Sequence, residues 1–276
     1  MGASSAPAVR LRLRVGSPIP VEADSISPDR FAGLTVDKLR ALPLHHGNKT
    51  RTIGDFFDVE GNGSETIEIE GDLSRFKKLG LGMTRGRLTV RGHAGMHLGA
   101  EMAGGEIEVF GNAGDWAGAE MKGGLIRIHG NAGNRAGAGY RGSEVGMRRG
   151  TILIDGNAGL EIGAFMRRGL IAVGGEAGDF AGAHMIAGSI LAFGGLGARA
   201  GAGMRRGTIV ALRRPEILPT FRDAGVQRFP FLKLLFDGLR RRGMKIPAGI
   251  ETSNWRRFVG DTVELGLGEL LVLENG

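Results

Sequence analysis

Two kinds of side chain in this sequence could do chemistry: six histidines and a set of paired arginines that recur at a fixed interval. The histidines are His45, His46, His93, His97, His129 and His184. His93 and His97 have the four-residue separation that would put two imidazoles on one helix turn around a zinc ion. Both fall in a glycine-rich corner between short strands, with no supporting carboxylate at a recognisable spacing, so no metal site is assigned. Gly137-Ala-Gly-Tyr-Arg-Gly142 satisfies GxGxxG. A dinucleotide loop also needs a following helix and an acidic residue about 20 positions on; an insertion and another strand follow instead. There is no GxSxG, phosphate loop or Ser-His-Asp arrangement. The 276 residues include no cysteine, which removes disulfides, thiolate zinc sites, cysteine-ligated iron–sulfur clusters and a thiol nucleophile. A chain without catalytic residues of its own is expected.

The arginines are more informative. Arg148–Arg149, Arg167–Arg168 and Arg205–Arg206 occupy one register of a repeat, with Lys122 and Arg85 close to it. If successive copies stack, these cations come within about 5 Å unless they splay, at a cost on the order of 3 kcal/mol per close pair before screening. The bland reading is a solvated face. The sharper one is an anion ladder that holds carboxylates. Nucleic acid is disfavoured, because no aromatics interleave with the basic positions and no helix-turn-helix or RNA-binding signature is present.

A repeat must position these side chains. From Gly86 the chain reads GRLTVRGHAGMHLGAEMAG, then GEIEVFGNAGDWAGAEMKG from Gly105, with further copies from Gly124, Gly150, Gly169 and Gly188 and a truncated one from Gly207. The spacing is 19, except that about seven extra residues near Tyr140–Gly146 lengthen the third copy to 26. A degraded copy, TIEIEGDLSRFKKLGLGMTR, precedes Gly86. Each copy opens with an alternation such as Ile107/Val109, Ile126/Ile128 and Ile152/Ile154, the pattern of a strand with one buried face. Stacked in register, each buried aliphatic stabilises by roughly 1.5–3 kcal/mol. Glycines follow as G-x-x-G-x-x-x-G, then a column of alanines (Ala100 to Ala202) and a column of methionines: Met83, Met102, Met121, Met147, Met166, Met185 and Met204. Core packing is the expected role of the methionines. Asn112, Asn131 and Asn157 share a register with His93, Glu176 and Gly194, where hydrogen bonds between copies are expected.

The fold expected is therefore all-β: a right-handed parallel β-helix of six or seven 19-residue coils, with short α/β caps at both ends. Residues 1–64 form an N-terminal cap containing the helix TVDKLRAL, 65–212 the repeats, and 213–276 a helical and β tail. Capping is needed because open ends would expose strand edges and core. The outward fourth strand position is polar early (Thr89, Glu108, Arg127) and apolar later (Leu153, Ala172, Leu191, Val210). Such a stripe needs a cover, and the amphipathic segment Phe229–Arg242 is expected to pack there on the same chain, the alternative being coverage by another subunit.

The net charge of +7, from 36 Lys and Arg against 29 Asp and Glu, favours acidic partners. MGASSAPAVRLRLRVG lacks the apolar core of a signal peptide. MGASSA matches the myristoylation pattern only loosely, with Ser5 one place early and Pro7 nearby, and is discounted. No stretch approaches the roughly 18 apolar residues of a membrane span. A cytoplasmic protein without membrane contact is expected.

The G-xx-G-xxx-G solenoid resembles the GXGXG domain shared by the C-terminal part of glutamate synthase and by the C-subunit of formylmethanofuran dehydrogenase. The leader PVEADSISPDRFAGL and the segment HHGNKTRTIGDFFDVEG resemble the second. The cysteine-free, arginine-rich chain looks most like the C-subunit of the bacterial formyltransferase/hydrolase complex. The resemblance covers roughly residues 10–212. It implies a non-catalytic scaffold subunit beside three unlike chains: an amidohydrolase-type subunit, a formyltransferase-type subunit and one more. That complex would move a formyl group from tetrahydromethanopterin to a methanofuran-type carrier and release formate. The ladder of Arg148, Arg149, Arg167, Arg168, Arg205 and Arg206 would then meet a partner's carboxylates or the glutamyl tail typical of such carriers. The alternative is a stand-alone GXGXG interaction module of a glutamate-synthase-like or formylmethanofuran dehydrogenase redox enzyme.

Overall fold

A computed structural model describes residues 8–274; the N-terminal Met1–Ala6 pattern lies outside the described residues. One large, mainly parallel sheet dominates. Its strands in chain order are β1 (Val9–Leu13), β2 (Phe57–Glu60), β3 (Thr66–Glu70), β4 (Arg87–Arg91), β5 (Glu106–Val109), β6 (Leu125–Ile128) and β7 (Thr151–Ile154). They continue as β8 (Leu170–Val173), β9 (Ser189–Ala192), β10 (Arg206–Ala211), β11 (Arg222–Gln227), β12 (Trp255–Gly260) and β13 (Leu267–Leu273). The spatial order of these 13 strands is β11-β12-β13-β10-β9-β8-β7-β6-β5-β4-β3-β1-β2.

From β3 to β10 every pairing is parallel and each neighbour is the next copy of the repeat. Ile107, Ile126 and Ile152 lie in one column, and Val109, Ile128 and Ile154 in the next. All six are fully buried. A one-residue slip would turn every one of them to the other face, so burial sets the register. The 26-residue copy pairs without a shift, Ile126 opposite Ile152, and its extra residues leave the sheet as a loop. Ala94, Ala113, Ala132, Ala158 and Ala177 form a second line of parallel bridges across the stack. The seven methionines are likewise buried, and Ile107 and Ile126 meet above Gly99 beside Met102.

The glycines divide into two jobs. Gly118 sits at φ +64°, where a side chain is strained, and a Cβ there would lie 2.6 Å from Ile152 Cδ1. Gly111 has an ordinary φ, but its Cβ would come 2.6 Å from the carbonyl oxygen of Gly92 in the copy below. Close backbone approach, not positive φ, selects glycine there.

Antiparallel strands extend the parallel stack at both ends, so the 13-stranded sheet as a whole is mixed. β1 pairs in parallel with β3 but antiparallel with β2. At the other end β13 extends the parallel stack beside β10, and β12 and β11 then add in antiparallel fashion. β12 and β13 are joined by a short turn and so run antiparallel, whereas β2 and β11 reach their antiparallel places beside β1 and β12 through long connections. The leader also carries three short helices, α1 (Pro28–Phe31), α2 (Val36–Arg40) and α3 (Ile53–Phe56).

Helix α4 (Pro230–Arg241) lies over the apolar outer stripe of the same chain. Leu232, Phe236 and Leu239 pack in one cluster with Leu153, Ala172, Leu191, Val210 and Trp255. No helix among the described residues is long and apolar enough to cross a membrane.

Candidate functional site

Each arginine pair stands between a buried methionine and the next strand, so core packing fixes its backbone while its side chains face water. The N–H of Lys122 donates to Met102 O (2.7 Å), that of Arg148 to Met121 O (2.7 Å) and that of Arg167 to Met147 O (2.8 Å). The three rungs are thereby stacked at the sheet spacing, roughly 4.8 Å. Lys122, Arg148, Arg149, Arg167 and Arg168 together line one surface groove of about 460 Å³. Lys122 reaches Glu101 at 3.4 Å. Among the described residues the four arginines of the groove have no ion-pair partner, whereas Arg85, Arg87 and Arg91 nearby pair with Glu65, Glu106 and Glu68.

The six-arginine ladder is not continuous. The fifth copy places Ile186 and Ala187 in the register, two rungs' width between Arg168 and Arg205. Arg205 instead meets Glu264 at 3.1 Å and lines a separate depression of about 380 Å³ with Arg167, Phe165 and His184. Arg206 opens β10.

Elsewhere the stack resolves its polar side chains internally. Asn112 Oδ1 accepts from the N–H of Asn131 (2.8 Å), Asn131 Oδ1 from Asn157 (2.8 Å) and Asn157 Oδ1 from Glu176 (2.9 Å). His93 starts this line, its Nδ1 accepting from Asn112 N–H at 2.9 Å. Gly195, not the expected Gly194, stands opposite Glu176, one 19-residue period along the chain. A second ladder, Asp115 to Asn134 to Leu160, runs beside the first and was not anticipated. Its signal is a side-chain acceptor three residues after Asn112 and after Asn131, namely Asp115 and Asn134.

His97 is separate from His93. Its ring stacks on Trp116 with centroids 5.4 Å apart and its Nδ1 lies 3.2 Å from the Tyr140 hydroxyl. Burial first, then Lys77 and Lys78, holds the imidazole pKa below its ordinary value. Burial, reinforced by Glu101 and Glu120, pushes the Tyr140 phenol up to about 12. No group of three or more His, Asp or Glu among the described residues is placed to hold a metal ion. Gly137–Gly142 runs into the inserted loop and then β7, with no helix behind it.

Sequence reasoning missed one polar cluster outright. Arg127, at an outward strand position that reads as solvated, is only 8% exposed. Its Nη2 donates to both oxygens of Asp155 (2.6 and 2.8 Å) and its Nη1 to the carbonyl of Arg242 (2.8 Å), just past α4. His129 bridges Asp155 Oδ2 (2.9 Å) and Glu108 Oε1 (3.0 Å). The guanidinium thus satisfies a carbonyl left open at the helix end and clamps α4 to the stack. An arginine opposite a glutamate on one strand and followed by an aspartate one copy later was the available signal.

A family model described as the GXGXG motif matches residues 66–220. The C-subunit of molybdenum-containing formylmethanofuran dehydrogenase 1 from Methanothermobacter marburgensis is 45% identical over 83 residues, 29% of this chain and 21% of that protein. The C-subunit of tungsten-containing formylmethanofuran dehydrogenase 2 from Methanothermobacter thermautotrophicus is 42% identical over 87 residues, 30% of this chain and 32% of that protein. The match therefore spans about a fifth to a third of the length of these curated relatives. A chain in the crystal structure of the formyltransferase/hydrolase complex (FhcABCD) from Methylorubrum extorquens, with methylofuran, is similar over its whole length. It superposes with a TM-score of 0.91 at 38% identity, covering 96% of this chain and 100% of that one.

Proposed function

The chain belongs to the GXGXG-motif family that includes the C-subunits of formylmethanofuran dehydrogenases, and on that premise we propose that it is a non-catalytic scaffold subunit of a formyltransferase/hydrolase complex. The observation that carries this reading is the end-to-end likeness to one chain of such a complex, at 38% identity and with 100% of that chain covered. In this reading the complex is cytoplasmic and passes formyl from formyl-tetrahydromethanopterin to a methanofuran-type carrier, releasing formate. Three unlike subunits, two of them amidohydrolase-type and formyltransferase-type, carry that chemistry.

The stacked periods supply what a scaffold needs: a rigid body with many parallel backbone ladders and long, repetitive faces. We read residues 65–212 as a right-handed parallel β-helix, closed by 1–64 at one end and by 213–276 at the other. The second line of alanine bridges supports this, because each copy then contacts its neighbour on more than one side. The groove of Arg148, Arg149, Arg167 and Arg168 is the part of the surface built for carboxylates, of a partner subunit or of a glutamyl-tailed carrier. Stacked, unpaired guanidinium groups are relieved by an anion, and the fork geometry of arginine suits a carboxylate.

Purification of the tagged chain from its native host tests the proposal. Three unlike chains in fixed ratio, with formyl transfer and formate release, are expected. Recovery of the chain alone overturns it. Replacing Arg148, Arg167 and Arg168 together by serine should weaken assembly or carrier retention, and unchanged assembly with unchanged turnover removes the role given to the groove. The matches to molybdenum- and tungsten-containing relatives favour a second reading, in which the same subunit serves an oxidising formylmethanofuran dehydrogenase. Formate release without an electron acceptor separates the two.

A further inference from the structure

The face that carries the arginine groove ends in an apolar knob. The turn between β12 and β13 exposes Val263 (75%) and Leu265 (58%), and Leu267 (58%) follows at the start of β13. This turn is held in place. Asp261, only 5% exposed, accepts hydrogen bonds from the N–H of Gly203 (2.9 Å) and of Val263 (3.0 Å). The hydroxyl of Thr262 donates to Thr220 O (2.9 Å), and the N–H groups of Glu264 and Gly266 donate to Asp261 O. Burial opposes the charge on Asp261, but the two N–H donors outweigh it and keep the carboxyl pKa below the ordinary aspartate value. The chain therefore fixes the turn to its last complete repeat copy and leaves the aliphatic tips uncovered. Preorganised apolar side chains lose little entropy on contact, as interface anchors should.

The knob is continuous with the groove. Glu264, within the turn, pairs with Arg205, and both line the depression that also contains Arg167, Phe165 and His184. Arg167 lines the cationic groove as well. Groove, depression and knob thus form one strip along the edge of the stack. The groove is one-sided in charge, since its four arginines have no ion-pair partner among the described residues, while the depression also holds Glu144 and Glu264. The chain's net charge of +7 favours an acidic unlike chain over a second copy as the source of carboxylates for the groove.

We propose that this strip is a protein-docking surface, occupied by an unlike partner chain that offers an apolar socket to Val263 and Leu265 beside carboxylates that enter the arginine groove. The proposal rests on the assembly reading above and names the surface that assembly uses. A rim of cations around a small apolar anchor would steer an acidic partner and then hold it.

The test uses the complex purified through this chain. A photo-crosslinking residue in place of Val263 should join an unlike chain at a peptide rich in Asp and Glu. Val263→Asp with Leu265→Asp should cut partner recovery at least tenfold, while Leu234→Asp, on the 75% exposed outer side of α4, leaves it unchanged. Circular dichroism of the double variant checks its fold, and the crosslink stands independently of that variant. Crosslinks only to a second copy, full partner recovery by the double variant, or capture of the chain by anionic phosphatidylserine vesicles without any partner crosslink each overturn the proposal. If the unsubstituted chain recovers no partner at all, the assembly reading itself fails.

Discussion

The asparagine corner and the arginine groove are built on the same repeat, about half a period apart, yet they end in opposite states. At the corner, Asn112, Asn131 and Asn157 stack and each accepts the N–H of the next copy. A neutral side chain with an acceptor can be satisfied by its own neighbour. In the groove, Arg148, Arg149, Arg167 and Arg168 stack and have only donors, so another arginine can never be their partner. Repetition therefore completes one ladder and leaves the other open toward solvent. A repeat protein can assign rigidity to one edge and recognition to another merely by choosing which side chain is repeated.

Arg127 sharpens this comparison, because it is an arginine of the same stack that did find partners. Arg127→Ala should destabilise by about 3 kcal/mol or more, since it strips Asp155 of its buried cation and α4 of a cap. A lower urea midpoint at unchanged slope is the expected signature. A loss no larger than that of an exposed arginine would mean the clamp is decorative. Asn131→Ala should cost about 1 kcal/mol, because the N–H of Asn157 loses its acceptor. Asn131→Asp keeps an oxygen there and should recover most of that loss; equal losses for both would break the ladder account.

The groove predicts the reverse sign. Arg167→Ser with Arg168→Ser should leave the isolated chain as stable as before or raise its stability by up to about 1 kcal/mol, an effect that shrinks as salt is added. A clear destabilisation at low salt would show that these cations already serve the fold. The smallest effect is expected at the β12–β13 turn. The pKa of Asp261 is lower in the folded chain than in the unfolded one. Its contribution is therefore complete above the ordinary aspartate value and drains away as the pH falls below it. The protection factor of the Val263 amide, corrected for the intrinsic pH dependence of exchange, should fall in that acid window and stay flat above it; unchanged protection on acidification would remove Asp261 from the locking of the turn.

Much of the scaffold was legible before any coordinates. The 19-residue spacing, the paired aliphatics and the methionine column place side chains at the same point of successive copies, and the seven-residue excess of the third copy leaves as a loop without disturbing Ile126 and Ile152. The cover by Phe229–Arg242 was legible too, because the spacing of Leu232, Phe236 and Leu239 on one helix face answers the apolar stripe. The place of Gly195 opposite Glu176 was written in the same 19-residue spacing but was not used, Gly194 being assigned instead. Nor was the break in the cation ladder used, although Ile186 and Ala187 spell it out.

Burial along a strand depends on neighbours two residues away and on the same position one copy on. The sequence by itself therefore determined which residues face the core and how the copies stack. Whether a given cation is satisfied depends on groups that only folding brings near. Arg127 meets a carbonyl 115 residues along the chain, and Arg205 a carboxylate 59 residues along. No periodicity encodes such distances, so only the tertiary structure decided that Arg127 holds the helix down while Arg148 and Arg167 face outward with no ion-pair partner among the described residues.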